Sequence, residues 1–306
     1  MEFIRGVYNL KARHRSCVLT IGNFDGFHRG HQALIEQLKL EGRNRNLPCM
    51  VMIFEPYPKE FLTGKKVRLT TLRDKLKYLA DVKVDIVLCV LFDKKFAILG
   101  AYTFITQLLV KELNVRFICV GNDFRFGSNR KGDYLLLRQT GKDIGFDVMS
   151  IITYTEKGQR ISSSAIRVAL MQDRLTDAEM LLGHDYRISG RVTHGNALGR
   201  VIGFPTANIL LKGYQFPIHG VYLVEIYGVV SGPLPGLANI GVRPTICGLH
   251  QRLEIYLLDI VIDLYGMYIT VVIRKKMRNE QHFCSLEELQ CQIKHDILCA
   301  RSYFKL

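Results

Sequence analysis

No stretch of this 306-residue sequence is long and apolar enough to cross a bilayer. Its longest tidy apolar run, Ile86 to Phe92, falls far short of the roughly 20 residues that a spanning helix needs. The opening Met1-Glu2-Phe3-Ile4-Arg5 sets a charge on each side of its apolar pair and lacks the apolar core of a secretory signal. The expectation is a soluble, cytoplasmic protein without a membrane partner. No C-x-x-C occurs among the eight cysteines (Cys17, Cys49, Cys89, Cys119, Cys247, Cys284, Cys291 and Cys299), and several sit inside apolar runs such as Val87-Leu88-Cys89-Val90. They read as reduced core thiols. Cys284 and Cys291 are seven apart but lack the paired spacing of a zinc site. There is no internal repeat, no low-complexity tract and no long linker.

The basic excess, a net charge of +14 with a pI near 9.4, is not massed in one tract. That weakens a nucleic-acid reading, which would predict tight, salt-sensitive polynucleotide binding. Anionic nucleotide substrates and a generally basic composition also account for it. No nucleic-acid partner is expected, and a monomer is favoured.

What is present divides into two halves of different periodicity. In the first, short apolar strands (Cys17–Gly22, Pro48–Phe54, Asp85–Phe92, Val115–Gly121 and Phe146–Ile152) alternate with helical patterns (Gln32–Leu40, Leu72–Ala80, Phe104–Leu113 and Tyr134–Lys142). Such alternation argues for a parallel sheet covered by helices, with ligands at the carboxyl ends of the strands. After Gly183 come strand-like runs at Arg187–Val192, Gly220–Val230, Leu253–Ile260 and Met267–Ile273. Gly- and Pro-rich turns such as Ser231-Gly232-Pro233-Leu234-Pro235-Gly236 separate them, which suggests a small antiparallel barrel. A last helix starts at Ser285, with Glu288 completing a capping box, and lines Leu286, Leu289, Ile293, Ile297 and Ala300 on one face. The expected domains are 1–183 and 184–306.

Gly22-Asn23-Phe24-Asp25-Gly26-Phe27-His28-Arg29-Gly30-His31 links the first strand to the first helix. Its glycines permit tight turns and close approach of backbone to a ligand, and a helix N-terminus attracts phosphate. His28 and His31, three apart, project from one face and present two imidazoles to a triphosphate as charge builds. The alternative is a Gly-rich turn with incidental histidines. Arg160-Ile161-Ser162-Ser163-Ser164-Ala165-Ile166-Arg167 opens a later helix; its serines either cap that helix or bind phosphate, with Arg160 and Arg167 adding charge.

In the second half, the basic, Gly-spaced segment Gly190 to Arg200 leads into Phe204-Pro205-Thr206-Ala207-Asn208. Gly195, Gly199, Arg200 and Pro205 are nucleotide-side candidates, because a Gly-rich loop cradles phosphates through backbone N–H groups. Thr206 and Asn208 alternate on an extended segment, so both face one way, and their oxygens suit Mg²⁺. Glu254 is a single acid among the apolar residues of Leu253 to Leu258. It either faces solvent or serves as the base that a kinase acting on an alcohol needs.

Taken together, H-x-G-H and the Ser-rich, Arg-flanked segment resemble the nucleotidylyltransferase superfamily. The order of motifs resembles the bacterial bifunctional riboflavin kinase/FMN adenylyltransferases. The matching stretches in the first half are Thr20 to Gly26, Phe54-Glu55-Pro56-Tyr57-Pro58, Val120 to Gly127 and Ile161 to Arg167. Those in the second are Gly190 to Asn208, Gly220-Val221-Tyr222, Asn239 to Thr245, Leu253 to Asp259, Asp263 to Gly266 and Arg278 to Phe283. The resemblance implies a Rossmann-like nucleotidyltransferase domain followed by a six-stranded barrel with a C-terminal helix. It implies ATP as co-substrate with Mg²⁺, riboflavin phosphorylated to FMN in the second domain, and FMN adenylylated to FAD in the first. By the same resemblance Asp123 lies near the adenylate, and Phe61, Phe104 and Phe126 lie near the isoalloxazine ring, core packing being their alternative. Thr206 and Asn208 engage Mg-ATP, Glu254 is the base toward the ribityl 5′-hydroxyl, and Arg278 lies near the flavin or its phosphate. Two positions depart from the family: Ser164 where Thr is usual, and Tyr256 where bacterial relatives often carry His.

Overall fold

The computed structural model describes residues 1–151, 155–156, 159–194, 199, 202–211, 213–245, 248–260 and 262–306. These form two compact units, Met1–Lys65 with Leu72–Ser163, and Lys66–Thr71 with Ser164–Leu306.

The first unit is built on a parallel sheet of β1 (Glu2–Arg5), β2 (Val18–Ile21), β3 (Cys49–Glu55), β4 (Ile86–Leu91), β5 (Phe117–Gly121) and β6 (Asp147–Ile151), in the order β1-β4-β3-β2-β5-β6. The central strands read as unbroken apolar runs because both faces are covered. Leu19, Met50, Met52, Leu88, Ile118 and Val120 face one layer with Ile105, Leu109 and Leu137. Val18, Val51, Ile53, Val87, Phe117 and Cys119 face the other with Leu34, Ile35, Leu38 and Leu79. The strand order reverses at β2, whose neighbours are β3 and β5. The carboxyl ends of β2 and β5 therefore flank a switch point, the place where an open α/β sheet leaves a crevice.

Two elements of this unit differ from the sequence expectation. The edge strand β1 pairs with β4 through Glu2–Ile86 to Arg5–Cys89, and only Ile4 of its residues is buried. A strand with one buried side chain leaves no periodicity to read. Phe104–Glu112 is a π-helix rather than an α-helix, with Leu113 N–H donating to Leu108 O at 3.1 Å.

The second unit is a closed antiparallel barrel of β9 (Arg187–Thr193), β10 (Ala207–Leu210), β11 (Gly220–Val230), β12 (Gly232–Thr245), β13 (Gly248–Leu257) and β14 (Tyr268–Arg278), ordered β10-β13-β12-β11-β14-β9. The short hairpin β7 (Thr155–Glu156) and β8 (Gln159–Arg160) precedes it in the chain. Residues 232–236, expected in a turn, belong to β12: the chain reverses at Ser231, where Val230 pairs with Gly232, which takes φ +109°. Pro233 and Pro235 precede the first β12–β13 pair, Gly236–Leu257, so the strand tolerates their missing N–H groups. The segment Lys66–Thr71, from the middle of the first half, belongs to this unit: Arg68 N–H donates to Gln215 O and Gln215 N–H to Lys66 O, both at 2.9 Å.

The helix Leu175–Leu182 ends on Gly183, left-handed at φ 76°, where the domain boundary is expected; the compact units divide between residues 163 and 164. On the C-terminal helix, Leu286–Phe304, Ser285 Oγ accepts from Glu288 N–H at 3.2 Å. The Glu288 carboxylate returns to the N–H of Cys284, one residue earlier than a standard capping box. Leu286 is exposed, while Ile293 and Ile297 are half-buried and Ala300 is buried.

Candidate functional site

The loop that follows β2 carries the first candidate site. Phe24 and Phe27 take positive φ (49° and 42°) around Gly26 (φ 81°), a strained path that buries both rings at 1% and 2% exposure. The path ends on His28, which is the N-cap of the helix Arg29–Arg45, its Nδ1 accepting from His31 N–H at 3.3 Å. The two imidazoles stack with centroids 3.6 Å apart, so the three-residue spacing brings both rings to the helix N-terminus. Burial, then His28 and the Lys75 ammonium, hold the His31 imidazole well below its ordinary range, so it is neutral near pH 7. A neutral imidazole still offers one N–H donor.

The loop is held from behind. Buried Asp25 accepts from Tyr57 Oη through Oδ1 at 3.1 Å, and its main-chain oxygen accepts from Ser163 Oγ at 2.8 Å. Ser163 thus joins the Ser-rich segment to the H-x-G-H loop, although they lie far apart in sequence. Gly22 and Asn23 leave β2 directly, and Gly30 lies in the first turn of the helix. Ser162 precedes the helix Ser163–Met171, on which Arg167 stands one turn in and Ser164 is exposed. Asp123 follows β5 and forms an exposed ion pair with Arg160. The second candidate strand end is therefore populated by two expected site residues that neutralise each other.

Of the three expected flavin-side rings, Phe104 and Phe126 are core residues, 2% and 7% exposed, with centroids 5.3 Å apart. Phe61 is 36% exposed and meets Phe92 edge-on at 5.6 Å. Phe92, Phe54 and Phe96 link the exposed ring to Phe104, forming one continuous aromatic wall. Phe92 and Phe96 escape sequence reasoning, because a Phe in a loop or short helix has the same local signal whether it packs or binds.

In the barrel, cross-strand register assembles the second candidate site. Asn208 pairs with Thr193 on one side and Glu254 on the other; Glu254 in turn pairs with Asn239, Asn239 with Val221, and Val221 with Arg278. Directly opposed residues share a face of the sheet. The flanking Ile209, Leu253, Ile255, Ala238 and Ile240 are buried in the barrel, while Asn208, Glu254 and Asn239 are half-buried on the outside. The acid among apolar residues is therefore one member of a polar row. Two residues along, the same outer face turns apolar: Leu237 and Tyr256 cluster with Val221, Leu223 and Ala300 beneath the C-terminal helix. Tyr256 also meets Phe204 edge-on at 6.1 Å, so this family departure is a packed side chain.

Thr206 lies just before β10. A Cβ at Gly199 would come within 2.3 Å of Phe204 O and 3.2 Å of Thr206 Oγ1, and Phe204 N–H donates to Gly199 O at 2.7 Å. Gly199 thus allows a close backbone approach beside Thr206. Pro205 is exposed next to it; Gly195 and Arg200, like Cys247, lie outside the described residues. Among the described residues no three His, Cys, Asp or Glu side chains gather to hold a metal. A hydroxyl and an amide oxygen are left as donors, a set that fits a hard cation carried mainly by phosphates. Arg278 is committed to buried Asp296: Nε donates to both carboxylate oxygens at 3.1 and 3.0 Å, and Nη2 to Oδ2 at 2.7 Å. Asp296 also escapes sequence reasoning, being the one acid beside the apolar stripe of its helix.

The family model for FAD synthetase matches residues 10–165, and that for riboflavin kinase matches residues 182–304. The bifunctional riboflavin kinase/FMN adenylyltransferase of Escherichia coli (strain K12) is 58% identical over 309 residues, covering 100% of this chain and 99% of that protein. Its counterpart in Haemophilus influenzae is 46% identical over 306 residues, covering 99% of each. A crystal structure described as a macrolide-efflux protein from Streptococcus pneumoniae superposes with a TM-score of 0.81 at 28% identity, over 98% of this chain and 99% of that one. Among the described residues here, no helix is long and apolar enough to cross a membrane. With both modules matched in order and relatives aligned end to end, the chain belongs to the bifunctional riboflavin kinase/FMN adenylyltransferase family.

Proposed function

We propose that riboflavin is phosphorylated on the outer face of the barrel, in module 184–306, and that FMN is adenylylated at the carboxyl ends of β2 and β5, in module 1–183. The observation that carries this reading is the row Asn208–Glu254–Asn239, which sets a carboxylate beside an oxygen donor for a metal–nucleotide. Glu254 takes the proton of the ribityl 5′-hydroxyl as that oxygen bonds to the γ-phosphorus of ATP and the bridging P–O bond breaks, releasing ADP. Thr206 and Asn208 hold Mg²⁺ with the ATP, and Gly199 and Pro205 shape the adjoining phosphate cradle. The ion, when bound, neutralises charge on the phosphate oxygens.

In the other module a phosphate oxygen of FMN attacks the α-phosphorus of a second ATP, and pyrophosphate leaves. His28 and His31 donate to the phosphates at the helix N-terminus. Gly22, Asn23, Phe24, Asp25, Gly26 and Gly30 shape the loop around them, Ser162, Ser163, Arg160 and Arg167 line the phosphate side, and Asp123 lies at the adenylate. Phe61 presents the flavin side, backed by the buried rings of Phe104 and Phe126, and Arg278 steadies the flavin end of the kinase site. The enzyme acts as a cytoplasmic monomer on riboflavin, FMN and ATP, without nucleic acid or membrane. Cys17 and Cys119, pushed up to about 12 by burial, suit a reducing compartment. Chromatography of flavins after incubation with riboflavin, ATP and Mg²⁺ tests the whole reading: FMN appears first and FAD follows. No conversion by folded protein would overturn it.

A further inference from the structure

The polar row on the barrel contains one residue that the reaction has not used. Asn239 is the direct cross-strand neighbour of Glu254, on the side away from Asn208. Its Nδ2 donates to Glu280 Oε1 at 3.5 Å. This fixes the amide orientation, since exchanging N and O would set two acceptors face to face. Its Oδ1 is buried and has no hydrogen-bond partner among the described residues. A buried acceptor left unpaired is destabilising, so a native site that keeps one has a donor in view.

The donor has a definable chemistry. Asn239 Oδ1 and the Glu254 carboxylate are both acceptors, and opposed side chains of an antiparallel pair stand roughly 5 Å apart at Cβ. Neither can donate to the other. A polyol offers one hydroxyl to Asn239 Oδ1 next to the hydroxyl whose proton Glu254 takes as base. The flanks of Asn239 supply no competing donor of their own: Leu237 and Gly241 are its same-face neighbours along β12. A Cβ at Gly241 would meet Glu280 Oε1 and Cδ, so the absence of a side chain there is what lets the Glu280 carboxylate lie over the strand and hold the amide.

We propose that Asn239 is a substrate-binding residue of the kinase site, its Oδ1 accepting a hydrogen bond from the ribityl 4′-hydroxyl beside the 5′-hydroxyl that Glu254 deprotonates. Glu280 is a positioning residue that acts through the Asn239 amide. This inference rests on the assignment of phosphorylation to the Glu254 face. It makes the enzyme a reader of a vicinal diol, so a primary alcohol without the neighbouring hydroxyl is a poor acceptor.

The test compares riboflavin with its 4′-deoxy and 3′-deoxy analogues, measuring kcat/KM for phosphorylation. Wild-type enzyme is expected to discriminate against the 4′-deoxy compound by about tenfold, the scale of one net hydrogen bond, and to treat the 3′-deoxy compound nearly as riboflavin. Asn239→Ala is expected to lose about tenfold with riboflavin and almost nothing further with the 4′-deoxy analogue. Adenylyl transfer from ATP to supplied FMN stays unchanged in that variant, and urea unfolding followed by circular dichroism reports whether the barrel unit that carries Asn239 is folded. Equal losses on all three substrates, or a wild type indifferent to the 4′-hydroxyl, would overturn the proposal. A wild type indifferent to the 4′-hydroxyl overturns it even if Asn239→Ala does not fold. Failure of the underlying assignment looks different: Glu254→Gln would then keep riboflavin phosphorylation, whatever the analogues show.

Discussion

At the scale of single residues, the two histidines of the H-x-G-H loop carry separable predictions. Replacing His28 and His31 together by Ala should lower FAD formation from FMN by at least about a hundredfold, the lower range for loss of a transition-state donor, while riboflavin phosphorylation persists. Flavin chromatography with each substrate in turn checks this, and unimpaired FAD formation contradicts the assignment. His31 also links pH to stability. Its folded-state value is depressed by burial, His28 and Lys75, whereas the unfolded chain titrates near the ordinary value of about 6.5. The unfolded state therefore binds a proton that the folded state refuses. The contribution is whole above pH of about 6.5 and declines as pH falls toward the lower folded value, by about 1.4 kcal/mol per unit. Denaturant midpoints of wild type and His31→Gln between pH 7.5 and 5.5 test it: the slope should be shallower in the variant. The H-x-G-H spacing made this pair legible from sequence. The Tyr57–Asp25–Ser163 support was not, since residues so far apart meet only through the order of strands.

At the scale of elements, the periodicities of 2 and 3.6 residues exposed most of the fold, and their failures have physical reasons. β1 is an edge strand with one buried residue, and β12 begins among glycines and prolines that ordinarily mark a turn. The π-helix keeps the apolar pattern of an α-helix and differs only in its hydrogen bonds. The glutamate in a strand announced itself, but the meaning of its row came from register, which no single strand encodes. The C-terminal helix adds a prediction. Asp296, 4% exposed, takes three bonds from Arg278 at the end of β14. Asp296→Ala leaves a guanidinium partly buried and unpaired, and should cost about 3 kcal/mol. Urea unfolding followed by circular dichroism measures it; a loss below about 1 kcal/mol would show that the pair is no anchor between strand and helix. Kinase activity should fall in the same variant, since the helix bounds the apolar part of the outer face.

At the scale of the whole molecule, two modules matched in order account for a pathway of two successive ATP-dependent steps in which the product of one is the substrate of the other. Separate sites predict that the steps are independently removable. They also predict that a mixture of Glu254→Gln enzyme and His28→Ala/His31→Ala enzyme converts riboflavin to FAD, with FMN passing through solution. The discontinuous segment Lys66–Thr71 was invisible in the sequence, because a six-residue excursion carries no composition shift. Flavin chromatography of the Glu254→Gln enzyme with ATP and Mg²⁺, given riboflavin in one vessel and FMN in another, separates the two sites. Two separate sites predict no FMN or FAD from riboflavin, a loss of at least about a hundredfold, and wild-type FAD formation from FMN. Loss of both activities in a folded variant, or FMN formation at the wild-type rate, would contradict that separation.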